Sequence, residues 1–327
     1  MEEAAMKRRV VAILLIAFPA ALAACGGGNT GTGSSSSATT TGCPTGSGTN
    51  GNGAHVSIGS KAFAEEQLLA TMTQLELQAH GFTVDYTFQA KDKAIGQALT
   101  GGTIDMLWQY TGTELTDYLG LTTGQFPTDL TQAFAFVQQK DQPRGLCWTS
   151  PTPFSDTNGI AIKASDKATY GDTLTAFGNY LAAHPGVSIC ILSEFRTRPD
   201  GVPGLQSTYN AAYGTANYTD IGSTAEQNIA AGQCAAGEVF TTDSAIQAKN
   251  LYVLTDDKKL FPPDNVGLVV RQSVLQQHPE IAALMTPIAA KLDTATMVSL
   301  NAMVEVQGMK VSDVAKNWLV QNAFLTG

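Results

Sequence analysis

Residues 101–115, Gly-Gly-Thr-Ile-Asp-Met-Leu-Trp-Gln-Tyr-Thr-Gly-Thr-Glu-Leu, constrain the fold of this chain more than any other stretch. The Gly pair suits the end of a helix, and the apolar run at 104–108 behind it reads as a short buried strand. That strand stops abruptly at Gln109-Tyr110-Thr111-Gly112-Thr113, a polar turn with one ring, two threonine hydroxyls and a glycine. In open α/β sheets, ligands bind where strands end and the next helix begins. Tyr110 and Thr113 are therefore candidate ligand contacts, and the rest of the chain is expected to build a cleft around them.

The segments before it fit that plan. Val56-Ser57-Ile58 reads as a strand, and Leu68, Met72 and Leu75 recur at helical spacing across a helix predicted over 62–80. Ser60 is its expected N-cap. Lys61, beside free N–H groups at that helix start, reads equally as a seat for a carboxylate or as a solvated surface lysine. Val84, Tyr86 and Phe88 alternate as a second strand, and a short helix over 92–100 leads to the Gly pair. Strand, helix, strand, helix, strand predicts an α/β domain with parallel pairing.

Further on, a helix is expected over 128–140. Residues 151–158, Pro-Thr-Pro-Phe-Ser-Asp-Thr-Asn, read as a turn-rich crossover before a strand at 159–162. Helices over 173–184, 203–213 and 224–231 alternate with strands at 187–192, 238–240 and 251–254, and Thr241-Thr242-Asp243-Ser244 reads as a polar turn opening a further helix. Residues 256–265, with Pro262-Pro263, form a second crossover before a strand at 266–270, and the pattern from Ser273 onward is helical. Two crossovers enclosing an α/β insertion predict a two-lobed clamp. Residues 55–155 and 256–327 form one lobe, and residues 156–255 form the other.

The beginning of the chain addresses location. Lys7-Arg8-Arg9 followed by an apolar run at 10–24 reads as a signal peptide. It ends in Leu22-Ala23-Ala24-Cys25-Gly26, which resembles a bacterial lipobox and marks Cys25 for lipidation. Residues 26–54 then read as a flexible Gly/Ser/Thr tether. The expectation is a globular body held by lipid on the extracytoplasmic face of a membrane. The other cysteines, Cys43, Cys147, Cys190 and Cys234, are even in number, which in an exported chain favours disulfides with three connectivities open. Cys190 with Cys234 is preferred because both fall in one lobe, leaving Cys43 with Cys147.

A formal net charge of −9 with no Lys/Arg cluster argues against a nucleic-acid partner. The histidines, His55, His80, His184 and His278, are scattered, and no HExxH, GxSxG or CxxC occurs. Neither an enzyme, a metal site nor a cofactor is expected.

Taken in order, Gly59-Ser60-Lys61-Ala62-Phe63-Ala64-Glu65, Gly102-Thr103-Ile104-Asp105 with Tyr110-Thr111-Gly112-Thr113, residues 154–157, Glu194-Phe195 with Arg198-Pro199-Asp200-Gly201, Thr242-Asp243 and Phe261-Pro262-Pro263 resemble the osmoprotectant substrate-binding proteins of ABC transporters. That family takes up glycine betaine, choline and carnitine. The resemblance covers residues 56–327 and implies a type II periplasmic-binding-protein fold whose lobes close on a solute by hinge bending. It implies an aromatic box for a quaternary ammonium, with Lys61, Thr113 and Arg198 as polar anchors, Tyr110 as one wall and Asp156 as a polar or counter-charge contact. Thr157, Asn158, Thr242, Asp243 and Asp264 fall at further matched positions of the cleft. Two positions depart from the pattern: Asn158 and Asp264 stand where the family often carries a ring. The implied partners are a small solute, a permease and its ATPase, with the binding protein itself a monomer. A different polar solute on the same scaffold, or a sensor lipoprotein outside transport, remain the alternatives.

Overall fold

The computed structural model describes residues 43–44, 46–88, 92–122, 124–222 and 225–326. The signal segment, Cys25 and the tether up to residue 42 lie outside the described residues.

Two five-stranded sheets carry the fold. The first contains β1 (His55–Ser60), β2 (Thr83–Phe88), β3 (Met106–Tyr110), β4 (Leu146–Ser155) and, from the far end of the chain, β10 (Asn265–Arg271). The second contains β5 (Asn158–Lys163), β6 (Ser188–Ile191), β7 (Asn217–Asp220), β8 (Ala236–Phe240) and β9 (Leu251–Val253). Their spatial orders are β2-β1-β3-β10-β4 and β7-β6-β8-β5-β9. Each sheet thus has a parallel trio flanked by a reversed strand: β10 is antiparallel to β3, and β5 is antiparallel to β8. In both cases the reversed strand is the first one laid down after the chain crosses from the other sheet.

The first crossing is short. Only Asp156 and Thr157 separate β4 from β5, and the return runs from β9 to β10 through Asp264. The two crossings are tied to each other, since Asp156 N donates to Asp264 O at 3.0 Å.

Burial follows from sequence pattern. The helix Ala64–Ala79 lays Leu68, Leu69, Met72 and Leu77 on the first sheet, where they join Val56, Ile58 and Trp108 in one core. Trp108 donates its indole N–H to Thr73 Oγ1 at 2.8 Å, so its polar edge is satisfied inside that core. A second core, with Phe177, Phe195, Leu205 and Tyr213, fills the other lobe.

Several sequence expectations shift. The strand expected at 104–108 occupies Met106–Tyr110, because Asp105 turns its carboxylate back to the N–H and hydroxyl of Ser57 at 2.9 Å each. Ser60 is not the helix cap: it ends β1, its hydroxyl bonds to Lys61 O and Tyr86 Oη, and the N-cap is Phe63, with no side-chain cap bond. The turn-rich segment at 151–158 extends as β4 through Ser155, prolines included. β4 lies at a sheet edge with register shifts against β10, a setting in which a strand tolerates residues lacking an N–H. The edge strand β7, with the polar sequence Asn-Tyr-Thr-Asp, carries no alternation to betray it. Disulfides join Cys43 to Cys147 and Cys190 to Cys234.

Candidate functional site

A cavity of about 350 Å³ opens where the two crossings meet the ends of the parallel strands. Most of the matched positions gather on it. Lys61, Tyr110, Thr113, Asp156, Asn158, Arg198, Thr242, Asp243 and Asp264 all line it. Thr157 does not: its N–H donates to Thr241 Oγ1 and its carbonyl accepts from Thr241 N, stitching the crossing to the second sheet.

Tyr110 ends β3 with its side chain buried, and its hydroxyl donates to Glu65 Oε1 at 2.6 Å. Glu65 sits in the first turn of the helix Ala64–Ala79, where the helix N-terminus favours a carboxylate. Its other oxygen accepts from Asn301 Nδ2 at 3.0 Å. Burial nevertheless raises the Glu65 pKa, and burial with the neighbouring Glu65 carboxylate pushes the Tyr110 phenol well above its usual range. Phe63 and Phe240 complete an aromatic wall: the Phe63 ring centroid lies 6.1 Å from Tyr110 and 6.0 Å from Phe240.

The crossings supply two carboxylates. Asp156 accepts from the Thr242 N–H at 3.0 Å, reaching into the second lobe. Asp264 accepts from the Gly112 N–H, reaching into the first. A Cβ on Gly112 would sit 2.8 Å from the Asp264 carboxylate carbon, so only glycine admits this contact. Burial pushes Asp156 well above the usual range and holds Asp264 at about 7; it drives Asp243, beside Glu226, to about 11.

The two cations are engaged. Arg198 grips Asp200 through Nε and Nη2 at 3.0 Å each and lies 3.8 Å from Asp117. Lys61 donates to Gln109 Oε1 at 2.9 Å, lies 4.0 Å from Glu66 and stands 4.5 Å above the Tyr110 ring.

Sequence reasoning assigns no roles to Glu65, Phe63, Asn301 or Glu305, all of which line the cavity. Glu65 and Phe63 fall inside the Lys61 motif and are within reach of it. Asn301 and Glu305 lie on the helix Thr294–Glu305, whose approach to the cleft leaves no local signal. Among the described residues no cluster of His, Cys, Asp and Glu could hold a metal ion.

Residues 54–321 match the family described as the substrate binding domain of the ABC-type glycine betaine transport system. A glycine-betaine-binding protein of Pseudomonas aeruginosa is 32% identical over 279 residues, covering 82% of this chain and 88% of that protein. The glycine betaine-binding protein YehZ of Escherichia coli is 27% identical over 281 residues, covering 82% and 91%. A crystal structure described as a glycine betaine/carnitine/choline ABC transporter superposes with a TM-score of 0.66 at 23% identity, over 82% of this chain and 99% of that one.

Proposed function

The chain belongs to the family of substrate-binding domains of ABC-type glycine betaine transport systems, and on that premise we propose that its cavity captures a small quaternary-ammonium solute of the glycine betaine or choline type. The fold is the type II periplasmic-binding-protein fold. The family is one of extracytoplasmic solute-binding proteins, not of enzymes, and its members serve an ABC importer.

The observation that carries the ligand reading is the aromatic wall of Phe63, Tyr110 and Phe240 sharing one cavity with buried carboxyl groups. A trimethylammonium group has no N–H to donate. Ring faces and anionic oxygens attract it without hydrogen bonds. Lys61, Thr113 and Arg198 are the polar groups that would orient the rest of the solute. The paired crossings at Asp156 and Asp264 would serve as the hinge on which the lobes close, after which the loaded protein hands its solute to the permease and its ATPase. Lipidation at Cys25, with the tether behind it, would hold this monomeric body on the extracytoplasmic face of the cell membrane; the lipobox sequence and the tether composition support this part.

A thermal-shift panel tests the reading. A ligand that binds only the folded state raises the melting temperature once its concentration passes Kd. Glycine betaine, choline, carnitine and proline betaine are offered to the wild type and to Tyr110→Ala. The reading predicts a shift with at least one of them that the variant loses. No shift across the panel, or a shift the variant keeps, contradicts it.

A further inference from the structure

Two residues of one helix reach from the first sheet's side of the cleft to the second. Asn301 and Glu305 are four apart on the helix Thr294–Glu305 and so share a face. That helix packs through Met297 and Leu300 into the core of the first sheet. Its partners belong to the other sheet: Asn301 Nδ2 donates to the Thr242 carbonyl at 3.3 Å, and Glu305 Oε2 accepts from Ser244 Oγ at 3.0 Å. Thr242 and Ser244 come just after β8 and open the short helix Ser244–Ala248. Two further contacts join the same halves. The Phe63 and Phe240 rings lie 6.0 Å apart at 17°, and Asp117 Oδ1 lies 3.8 Å from Arg198 Nε.

These contacts differ in kind from those at the crossings. Asp156 and Asp264 sit where the chain passes between the sheets, so rotation of one half against the other displaces them least. Side chains that meet across the cleft from separate elements must part when it opens, and their bonds are exchanged for bonds to water. That exchange leaves each bond a net bias of several-fold toward the closed arrangement. The same contacts are tied to the ring wall. The Asn301 amide divides its donors between the Thr242 carbonyl in the second half and Glu65 Oε2 in the first, at 3.0 Å. The other Glu65 oxygen accepts from the Tyr110 hydroxyl. Closure thus adds a partner to the amide that steadies Glu65 and, through it, Tyr110.

We propose that Ser244 with Glu305, and Asn301 with the Thr242 carbonyl, form a latch that holds the two halves together whichever solute lies between them, with Asn301 passing closure on to the aromatic wall. This rests on the reading of the cavity as a solute site that opens and closes. Ser244 is a positioning residue: it does not line the cavity and acts through Glu305, which does. Apparent Kd rises in inverse proportion to the fraction of protein in the binding-competent form. The latch therefore scales the affinity for every solute by one factor, set by a residue that touches none of them.

A double-mutant cycle on solute affinity tests it. Glycine betaine, choline and carnitine are titrated calorimetrically into the wild type, Ser244→Ala, Glu305→Ala and the double variant. Ser244→Ala removes a single oxygen and Glu305 is exposed, so both variants are expected to fold, which their melting temperatures check. Ser244→Ala is expected to weaken every solute the wild type binds by the same factor, about three- to tenfold. The double variant is expected to bind no more weakly than Glu305→Ala alone, because the two residues act through one bond. A merely structural Ser244 would lower the melting temperature and leave Kd unmoved. Unchanged affinity in Ser244→Ala, unlike factors for different solutes, or losses that multiply in the double variant each overturn the latch and leave the solute-site reading standing. Binding of none of the three solutes by the wild type overturns both.

Discussion

At the residue scale, the site is governed by how far burial disfavours charge on carboxylates that have few cations to answer them. Asp264 shows the consequence. Its folded-state pKa of about 7 stands above an ordinary value of 3.8, raised first by burial and further by Asp200, and opposed by the Gly112 N–H, Arg198 and Lys61. A carboxyl whose pKa is raised on folding contributes stability that is complete below its unfolded pKa and lost as pH rises through the folded one. The melting temperature of the ligand-free protein is therefore expected to fall between about pH 4 and about pH 7, and Asp264→Asn, which keeps the acceptor for Gly112, should flatten that decline. Choline affinity has the opposite slope. The ionised carboxylate is the better partner for a cation, so binding should tighten as pH rises through about 7, as a calorimetric pH series would show. Affinity independent of pH across that range contradicts the assignment of Asp264.

Residues that carry motifs are legible in the sequence. Tyr110 and Thr113 can be placed at the cleft because a strand end and a polar turn are local features, while Lys61, Arg198 and Asp243 are placed there by the family resemblance. What their side chains do there is not legible. The contact between Arg198 and Asp200, two residues apart, depends on the exact turn of one loop, and the bond from Tyr110 to Glu65 depends on the packing of separate elements. Asn301, 236 residues from its partner Glu65, is an extreme case, since no spacing rule joins them.

At the element scale, strong periodicity marks elements reliably and weak periodicity does not. The helix at Ala64–Ala79 is visible from Leu68, Met72 and Leu75, while β4 is hidden by its prolines and β7 by its polar residues. Ser60 misleads because a hydroxyl before an apolar run suggests a cap, whereas here it closes a strand and bonds to Tyr86. The helix Ala64–Ala79 also positions Glu65 and so the Tyr110 ring, which makes its packing a functional matter. Leu69 is fully buried on its inner face. Leu69→Ala is expected to destabilise the protein by about 2–5 kcal/mol through lost burial and the cavity left behind. In urea this reads as a lower unfolding midpoint with an unchanged slope; a midpoint unmoved by the substitution would remove the helix from the core described here.

At the scale of the whole molecule, the chain crosses twice between two sheets of matching strand order, so each lobe is completed by a strand arriving from the other. The disulfide between Cys43 and Cys147 closes a span of 104 residues that begins before β1 and ends in β4. Replacing both cysteines by serine should cost on the order of 4–5 kcal/mol by the chain-entropy argument, read as a lower midpoint in denaturant without reductant. Equal stability with and without the bridge would count against that span being constrained.

The most direct test of the account is a crystal structure of the protein with choline. The account predicts the trimethylammonium group within about 6 Å of the centroids of Tyr110 and its neighbouring rings, and the lobes drawn together about Asp156 and Asp264. Choline bound outside this cavity, or inside it with its ammonium turned away from both rings and carboxylates, would contradict it.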